Sequence, residues 1–195
     1  MTRPRVVIGI SGASGAAISV RIVERLAAAG RLEIHLVVSR AAERTLAHEV
    51  GPESLPRLNR LVYRRHDIDD IGATIASGSF RTAGMIVAPC SVHSLSAIAY
   101  GATDNLLIRA ADVHLKERRR LVLMLRESPL HLGHIRAMAQ AAEIGAIIAP
   151  AVPAFYLRPE TVADVVDQMA ARAIDLLGVE DHQHARAYDG EAARR

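Results

Sequence analysis

The chain has little of the side-chain chemistry on which several protein classes depend. Its 195 residues include one cysteine, no tryptophan, four tyrosines and two phenylalanines. A single cysteine excludes an internal disulfide framework and a cysteine-based zinc cluster. The sequence pI is near 9.5, but few aromatic residues are available for base stacking and the arginines are dispersed along the chain. Nucleic acid is therefore not an expected partner.

The sequence also lacks a long hydrophobic run. The first apolar segment, residues 6–10, is much shorter than the roughly 20 apolar residues that a membrane span needs. It does not have the pattern of a signal peptide either. We therefore expect a cytoplasmic protein that makes no membrane contact.

We expect one domain over residues 1–179 and a polar tail over residues 180–195. Half of all residues are hydrophobic, and a single core serves chains of up to roughly 250 residues. The tail carries His182 and His184 and shows no periodicity. A segment of this kind is expected to be loose or docked on a partner.

Short apolar runs alternate with alanine-rich segments of helical period, which predicts an α/β fold with a mainly parallel sheet. The predicted strands are residues 6–10, 33–38, 84–88, 121–125 and 146–148. The predicted helices are residues 16–29, 41–49, 94–100, 104–117, 132–143 and 160–177. Most of these strands are apolar throughout, which is typical of strands covered by helices on both faces.

The first predicted strand runs into the small-residue sequence Gly-Ile-Ser-Gly-Ala-Ser-Gly at residues 9–15. Backbone N–H groups at such a helix start attract anions, and ligands of open α/β sheets bind at this edge. The glycine spacing differs from the dinucleotide fingerprint, and no Walker-type lysine follows. A phosphate site and a tight strand-to-helix turn both remain open.

Polar residues also follow the next strands. Ser39 follows the second predicted strand, and Ser91 and Ser94 lie just beyond the third. Their hydroxyls suit the polar atoms of a bound mononucleotide, while Ser39 and Ser91 singly suit N-capping of the following helices. Cys90 suits either a nucleophile or a buried small thiol.

A polar cluster surrounds Lys116, which is the single lysine among 24 basic residues. A compact ammonium in a chain that otherwise uses arginine favours a phosphoryl ligand, although an exposed helix face has the same pattern. Arg126 and Glu127 end the next predicted strand, and residues 76–80 form either a turn or a cover over a ligand. The residues spaced three or four apart on one helix face are Asn105, Arg109, Asp112 and Lys116.

The remaining candidates are weaker when they are taken singly. Tyr156 suits the edge of the core and Arg172 suits a solvated helix face, although both follow the last predicted strand. Apart from His131 and His134, the histidines show no spacing typical of metal ligands. We therefore expect no bound metal.

Taken in order, these strings resemble the UbiX/Pad-type flavin prenyltransferases, within the flavin-binding Cys-decarboxylase fold group. The resemblance spans about residues 5–178. The strings that carry it are residues 9–15, 39–42, 76–79, 88–91, 104–112, 115–119, 126–127 and 153–156.

The resemblance implies a flavodoxin-like three-layer fold and a homo-oligomer, a dodecamer, with sites shared between subunits. It also implies metal-independent transfer of a dimethylallyl group from dimethylallyl phosphate to N5 and C6 of reduced FMN. The product, prenylated FMN, would be the cofactor of a UbiD-type decarboxylase. Alternatives within the fold group are an FMN-dependent Cys decarboxylase, for which His48 is poorly placed, and a non-catalytic flavin-binding subunit.

Site residues follow from the resemblance by position. FMN would be held by Gly12, Ala13, Ser14, Ser39, Ser91, Val92, His93, Ser94 and Arg126. Dimethylallyl phosphate would be held by Arg109, Lys116, Glu127, Tyr156 and Arg172, partly from neighbouring chains. The implied catalytic residues are Ser14, Glu49, Lys116 and Glu127. The chain departs from the family pattern at Ile18, His93, Ser94 and Arg120, which leaves the preferred prenyl donor open.

Overall fold

The computed structural model of the protein describes residues 3–179 and 183–188. These residues form one six-stranded sheet in the order β3-β2-β1-β4-β5-β6, in which every pairing is parallel. This confirms the α/β, flavodoxin-like prediction. The strands are β1 Arg5–Ile10, β2 Glu33–Val38, β3 Arg64–His66, β4 Gly84–Cys90, β5 Arg120–Leu125 and β6 Ile147–Ile148.

The helices largely follow the predicted segments, and capping side chains set the starts of several of them. Asn105 accepts a hydrogen bond from the amide of Ile108, so the fifth helix starts at residue 106 and not at 104. Thr161 and Asp164 form a capping box that starts the last helix at residue 162. The helices are α1 Ala16–Ala29, α2 Arg40–Glu49, α3 Ser54–Leu61, α4 Val92–Tyr100, α5 Leu106–Lys116, α6 Leu132–Glu143 and α7 Val162–Leu177.

Helices cover the sheet on both sides, as the apolar strands predict. On β1, Val6 and Ile8 point to a core shared with α1 and α7, whereas Val7 points to a core shared with α5 and α6. These strand residues are fully buried. The molecule therefore has three layers, with the sheet in the middle.

Strands β1 and β4 are neighbours in the centre of the sheet. The chain leaves β1 toward β2 on one side and returns through β4 toward β5 on the other. The loops after β1 and β4 consequently diverge and open a crevice at the carboxyl edge of the sheet, where ligands of such folds bind.

Part of the predicted tail has fixed contacts on its own chain, which differs from a loose or partner-docked segment. The amides of His184 and Ala185 both donate to the carboxylate of Asp175 on α7, at 2.6 and 3.0 Å. Ala185 is buried. His182 and the rest of the tail beyond residue 188 lie outside the described residues.

Among the described residues, none of the helices combines the length and apolar character needed to cross a bilayer.

Candidate functional site

The crevice at the carboxyl edge of the sheet contains a cavity of about 560 Å³. It is formed by the loops after β1, β2, β4 and β5, together with the start of α5. Every residue predicted to bind FMN lines it, and so does Glu127. The lining residues are Gly12, Ala13, Ser14, Ser39, Ala41, Ser91, Val92, His93, Ser94, Asn105, Leu107, Arg126 and Glu127.

Ser11, which the sequence did not single out, ties two of these loops together. Its buried hydroxyl donates to the carbonyl of Pro89 at 2.9 Å and accepts from the amide of Ser91 at 2.8 Å. The loops after β1 and β4 are therefore fixed to each other at the floor of the crevice. A serine in a small-residue loop gives no local signal for such a contact over 80 residues of sequence.

The serines after β2 and β4 cap helices, as one of the open alternatives stated. The Ser39 hydroxyl accepts from the Ala42 amide at 3.1 Å, and the Ser91 hydroxyl accepts from the Ser94 amide at 3.2 Å. Both residues also line the cavity. Capping therefore fixes these hydroxyls at the cavity wall and does not remove them from it.

The side chain of Glu49, the last residue of α2, lies at the N-terminus of α1. One of its carboxylate oxygens accepts the amides of Gly15 and Ala16, each at 2.9 Å. Gly15 has φ of 102°, a left-handed conformation that suits glycine and turns both amides toward this oxygen. The first amides of α1 are therefore already occupied by the carboxylate of Glu49. The part of this loop that lines the cavity is residues 12–14.

The protonation state of Glu49 follows from these contacts. Partial burial alone would raise the pKa of this carboxyl, but hydrogen bonds from the Ser14 hydroxyl and from the Ala16 and Gly15 amides, together with the charge of Arg126, lower it by more. The net shift is downward, so Glu49 is ionised at neutral pH. Ser14, which lines the cavity, connects the cavity to this carboxylate.

Position 12 has no room for a side chain, because helix α2 passes close to it. A Cβ atom at this position would lie 2.4 Å from the Cβ of Ala41 on α2, far inside the normal carbon–carbon contact distance of about 3.5–4.0 Å. The residue therefore lets the loop after β1 pass close to α2. Its backbone still lines the cavity.

Cys90 is a buried thiol, which decides between the two alternatives that the sequence left open. Its side chain is fully buried at the end of β4. Burial raises the pKa of this thiol to about 12. A thiol that stays protonated at neutral pH is a poor nucleophile.

One chain does not bring the expected prenyl donor ligands together. Lys116 is the last residue of α5, whereas Asn105 caps the other end of this helix and lines the cavity. Eleven helical residues separate the two ends by about 16 Å. Arg109, between them, pairs with Asp112 at 2.9 Å and does not line the cavity.

Lys116 lies instead beside the loop of residues 77–80. Its Nζ is 3.2 Å from the carboxylate of Glu117, and a Cβ on Gly78 would lie 3.1 Å from the same Nζ. Arg119 holds this loop by donating to the carbonyls of Gly78 and Phe80. Lys116, the hydroxyls of Ser77 and Ser79 and the closely packed backbone at Gly78 thus form one polar surface at the C-terminal end of α5.

Tyr156 and Arg172 lie in a second cavity, of about 350 Å³, beyond the ends of β5 and β6. Residues 183–188 form part of its wall. The predicted donor ligands therefore lie at three places in one chain: Glu127 at the first cavity, Tyr156 and Arg172 at the second, and Arg109 and Lys116 on α5.

Two departures from the family pattern lie away from the first cavity. Ile18 is buried in the core between α1 and the sheet. Arg120 donates to the carbonyl of Leu176 at 3.2 Å, at the other edge of the sheet. His93 and Ser94, by contrast, line the cavity, and these two departures are the ones positioned to affect a ligand.

The histidine pair that the sequence noted is part of a helix start. The rings of His131 and His134 lie 3.6 Å apart, and His131 Nδ1 accepts from the amide of Gly133 at 3.0 Å. Within residues 3–179 and 183–188, no group of three or more His, Cys, Asp or Glu side chains is placed to hold a metal ion.

Comparisons with known proteins identify the family of this chain. A family model described as Flavoprotein matches residues 1–173. Flavin prenyltransferase UbiX of Thauera aromatica is 56% identical over 171 residues, which cover 88% of this chain and 87% of the relative.

Two solved structures have the same fold. AnUbiX (PadA1), crystallised with FMN and dimethylallyl pyrophosphate, superposes with a TM-score of 0.90 at 40% identity, covering 97% of this chain and 99% of that one. A dodecameric FMN-dependent UbiX-like decarboxylase from Escherichia coli O157:H7 has a TM-score of 0.90 at 43% identity, covering 95% and 100%. The chain belongs to the UbiX flavin prenyltransferase family of flavoproteins.

Proposed function

We propose that the protein is a flavin prenyltransferase. It transfers the dimethylallyl group of dimethylallyl phosphate to N5 and C6 of reduced FMN and delivers prenylated FMN to a UbiD-type decarboxylase. The observation that carries this proposal is the cavity in which small residues, serine hydroxyls and Arg126 converge from the ends of adjacent strands. The related AnUbiX binds FMN together with a dimethylallyl donor.

The residues of the first cavity fit FMN. Backbone groups of Gly12 and Ala13 and the hydroxyls of Ser39 and Ser91 suit the phosphate and the polar ring edge, and Arg126 supplies a positive charge. Leu107 adds an apolar surface for a planar ring. Bound reduced flavin supplies the nucleophilic nitrogen and an aromatic face, in a protein that has few aromatic residues of its own.

Ser14 and Glu49 form a route for a proton. Ser14 lies on the cavity wall and donates its hydroxyl hydrogen to an ionised carboxylate. A hydroxyl in this position can accept a proton from the cavity while it passes its own to Glu49. Because Glu49 is ionised at neutral pH, the pair is in the form that accepts a proton and not in the form that donates one.

The donor site requires more than one subunit. Loss of an allylic phosphate builds negative charge on its oxygens, so fixed cations stabilise the transition state more than the ground state. Lys116 lies too far along α5 to serve the cavity of its own chain. We therefore infer a homo-oligomer, a dodecamer like the E. coli relative, in which Arg109 and Lys116 of one subunit face the Glu127, Tyr156 and Arg172 of others.

The substrates also suggest a location. Reduced FMN and a phosphorylated prenyl donor are charged metabolites that do not cross a bilayer unaided. We propose that the protein acts in the cytoplasm, and fractionation of cells that express the tagged full chain tests this.

The direct test of function is an anaerobic reaction with reduced FMN and dimethylallyl phosphate, followed by mass spectrometry of the flavin. The expected result is a five-carbon addition to the flavin. Arg60→Ala, at an exposed arginine on α3, is the matched control and should react like wild type. Absence of the addition with both the monophosphate and the diphosphate would rule out the proposal.

A second pair of variants separates an enzyme from a flavin-binding subunit. Glu127→Gln and Lys116→Ala should still bind FMN but should lose most of the prenyl transfer. A non-catalytic subunit would tolerate both changes, so full support of the partner decarboxylase by both variants would favour that alternative.

A further inference from the structure

Residues 183–188, which we call the strap, run along one face of α7. At one end the side chain of Gln168 accepts from the amide of Arg186 at 3.3 Å and donates to its carbonyl at 3.4 Å. At the other end Asp175 accepts the amides of His184 and Ala185. Arg25 of α1 adds a bond to the carbonyl of His184 at 3.3 Å.

The anchors place the strap over Arg172. Gln168 and Asp175 are seven residues apart, and Arg172 lies four residues after one and three before the other, so all three share one helix face. The strap therefore crosses the face from which Arg172 projects. Arg172, Tyr156, Arg186 and Tyr188 line the same cavity of about 350 Å³.

Positive charge in this cavity is not neutralised by the described part of the chain. Within residues 3–179 and 183–188, neither Arg172 nor Arg186 forms an ion pair with a carboxylate. Glu160, Asp164 and Asp167 line a neighbouring pocket together with Arg186, and in the described part of the chain none of them is ion-paired with it. Asp167 binds Arg21 and Arg25, and Asp164 binds the start of α7.

Tyr156 and Tyr188 both line this cavity. Their rings meet edge to face with centroids 5.3 Å apart, an arrangement that stabilises aromatic pairs. One tyrosine precedes α7 and the other belongs to the strap. The cavity thus has an aromatic wall made from both elements and two arginines without protein counter-ions.

We propose that the strap is part of the prenyl donor site and that Arg186 is a second arginine that binds the donor's phosphate beside Arg172. This inference rests on the proposed function, since it takes the second cavity as the place where the donor's phosphate lies. Gln168 and Asp175 act as positioning residues, because they fix the backbone of the strap and do not themselves carry the positive charge.

The test compares Arg186→Ala, Arg186→Lys and Arg60→Ala in the full-length protein loaded with FMN. Calorimetry measures binding of dimethylallyl phosphate, and a separate titration measures binding of FMN. One charge-assisted hydrogen bond at an exposed site corresponds to about a tenfold change in affinity. Arg186→Ala should therefore weaken donor binding about tenfold and leave FMN binding unchanged, and Arg186→Lys should restore part of the loss.

Hydrogen exchange gives a second readout that a purely structural role would not produce. Addition of dimethylallyl phosphate should slow exchange at the amides of His184 and Ala185 in wild type, and less so in Arg186→Ala. In Asp175→Ala both amides should exchange faster, and the Michaelis constant for the donor should rise more than kcat falls.

The outcomes separate the two proposals. If wild type prenylates FMN but Arg186→Ala binds the donor as well as Arg60→Ala does, the strap inference is wrong and the proposed function stands. If wild type neither prenylates FMN nor binds dimethylallyl phosphate, both are wrong. Donor binding that depends on Arg186 without prenyl transfer would support the site and overturn the reaction.

Discussion

Replacing Glu49 by glutamine removes one negative charge from the N-terminus of α1 and changes little else. Glutamine keeps an acceptor oxygen for the amides of Gly15 and Ala16 but cannot be ionised. Two effects are expected. Helix α1 loses a favourable charge at its start, and under the proposed function Ser14 loses the base to which it would pass a proton.

The effect on stability is modest because Glu49 is exposed to solvent. An acidic group at a helix N-terminus contributes about 0.3–1 kcal/mol at exposed sites. For a domain of this size, about 1 kcal/mol lowers the melting temperature by roughly 2–4 °C. The effect on prenyl transfer is larger, since general acid–base groups contribute about 10²- to 10⁴-fold to rates.

The pH dependence has a defined sign. The pKa of Glu49 is lower in the folded protein than its ordinary value of 4.5, so its charge stabilises the fold above that pH. The advantage over Glu49→Gln is lost as the pH falls through the folded pKa, because protonated glutamate resembles glutamine. Wild type and variant should therefore differ at pH 7 and converge below pH 4.5.

The test measures the free energy of unfolding in urea for wild type and Glu49→Gln across this pH range. It also compares their prenylation rates at pH 7. Glu53→Gln is the matched control, since Glu53 is also exposed and its side chain caps nothing at the start of α3. Equal stability of Glu49→Gln and wild type at pH 7, or a full prenylation rate in the variant, would refute the assignment of Glu49 as an ionised base.

Three further predictions concern other parts of the molecule. Lys116→Arg keeps the charge but changes its geometry, so prenyl transfer should fall while a flavin titration shows unchanged FMN binding; full activity would remove the argument from the single lysine. Gly12→Ala places a methyl group against Ala41, and such overpacking costs about 1–3 kcal/mol, so melting temperature and FMN affinity should both drop, and the double variant with Ala41→Gly should recover part of each. Burial and the neighbouring His66 lower the pKa of His35 to about 4, so unfolding in urea should become easier as the pH falls from 6.5 toward 4, and replacement of His35 by leucine should flatten this dependence.

The sequence predicted most of the sheet but not its β3 edge. Strands buried on both faces are continuous apolar runs, and these runs located β1, β2, β4 and β5 to within two residues. Strand β3 reads Arg64-Arg65-His66 and is held by backbone pairing to β2, so it has no hydrophobic pattern to detect. Helix α3 was not predicted either, because it is short and contains Pro56 in its first turn.

The flavin cavity was predictable because parallel strands bring their carboxyl ends to one edge, where residues after β1, β2 and β4 must meet. The contact of Glu49 with Gly15 and Ala16 joins residues more than 30 positions apart. No local pattern indicates such a contact, and only the resemblance placed Glu49 near the site. The strap could not be predicted for a related reason. Side chains on α7 bind its backbone groups, and every residue has the same backbone groups, so the sequence does not indicate where such contacts form.

Under the proposed function, helix α5 is a rigid spacer whose two ends serve different active sites. Asn105 at one end lines the cavity of its own chain, and Lys116 at the other end would serve a neighbouring subunit. Under the proposed function a separated subunit could hold flavin but could not transfer the prenyl group, so catalysis would switch on with assembly and would rise more steeply than protein concentration. Two inactive chains, one altered at Lys116 and the other at Glu49, would then regain activity when they assemble together.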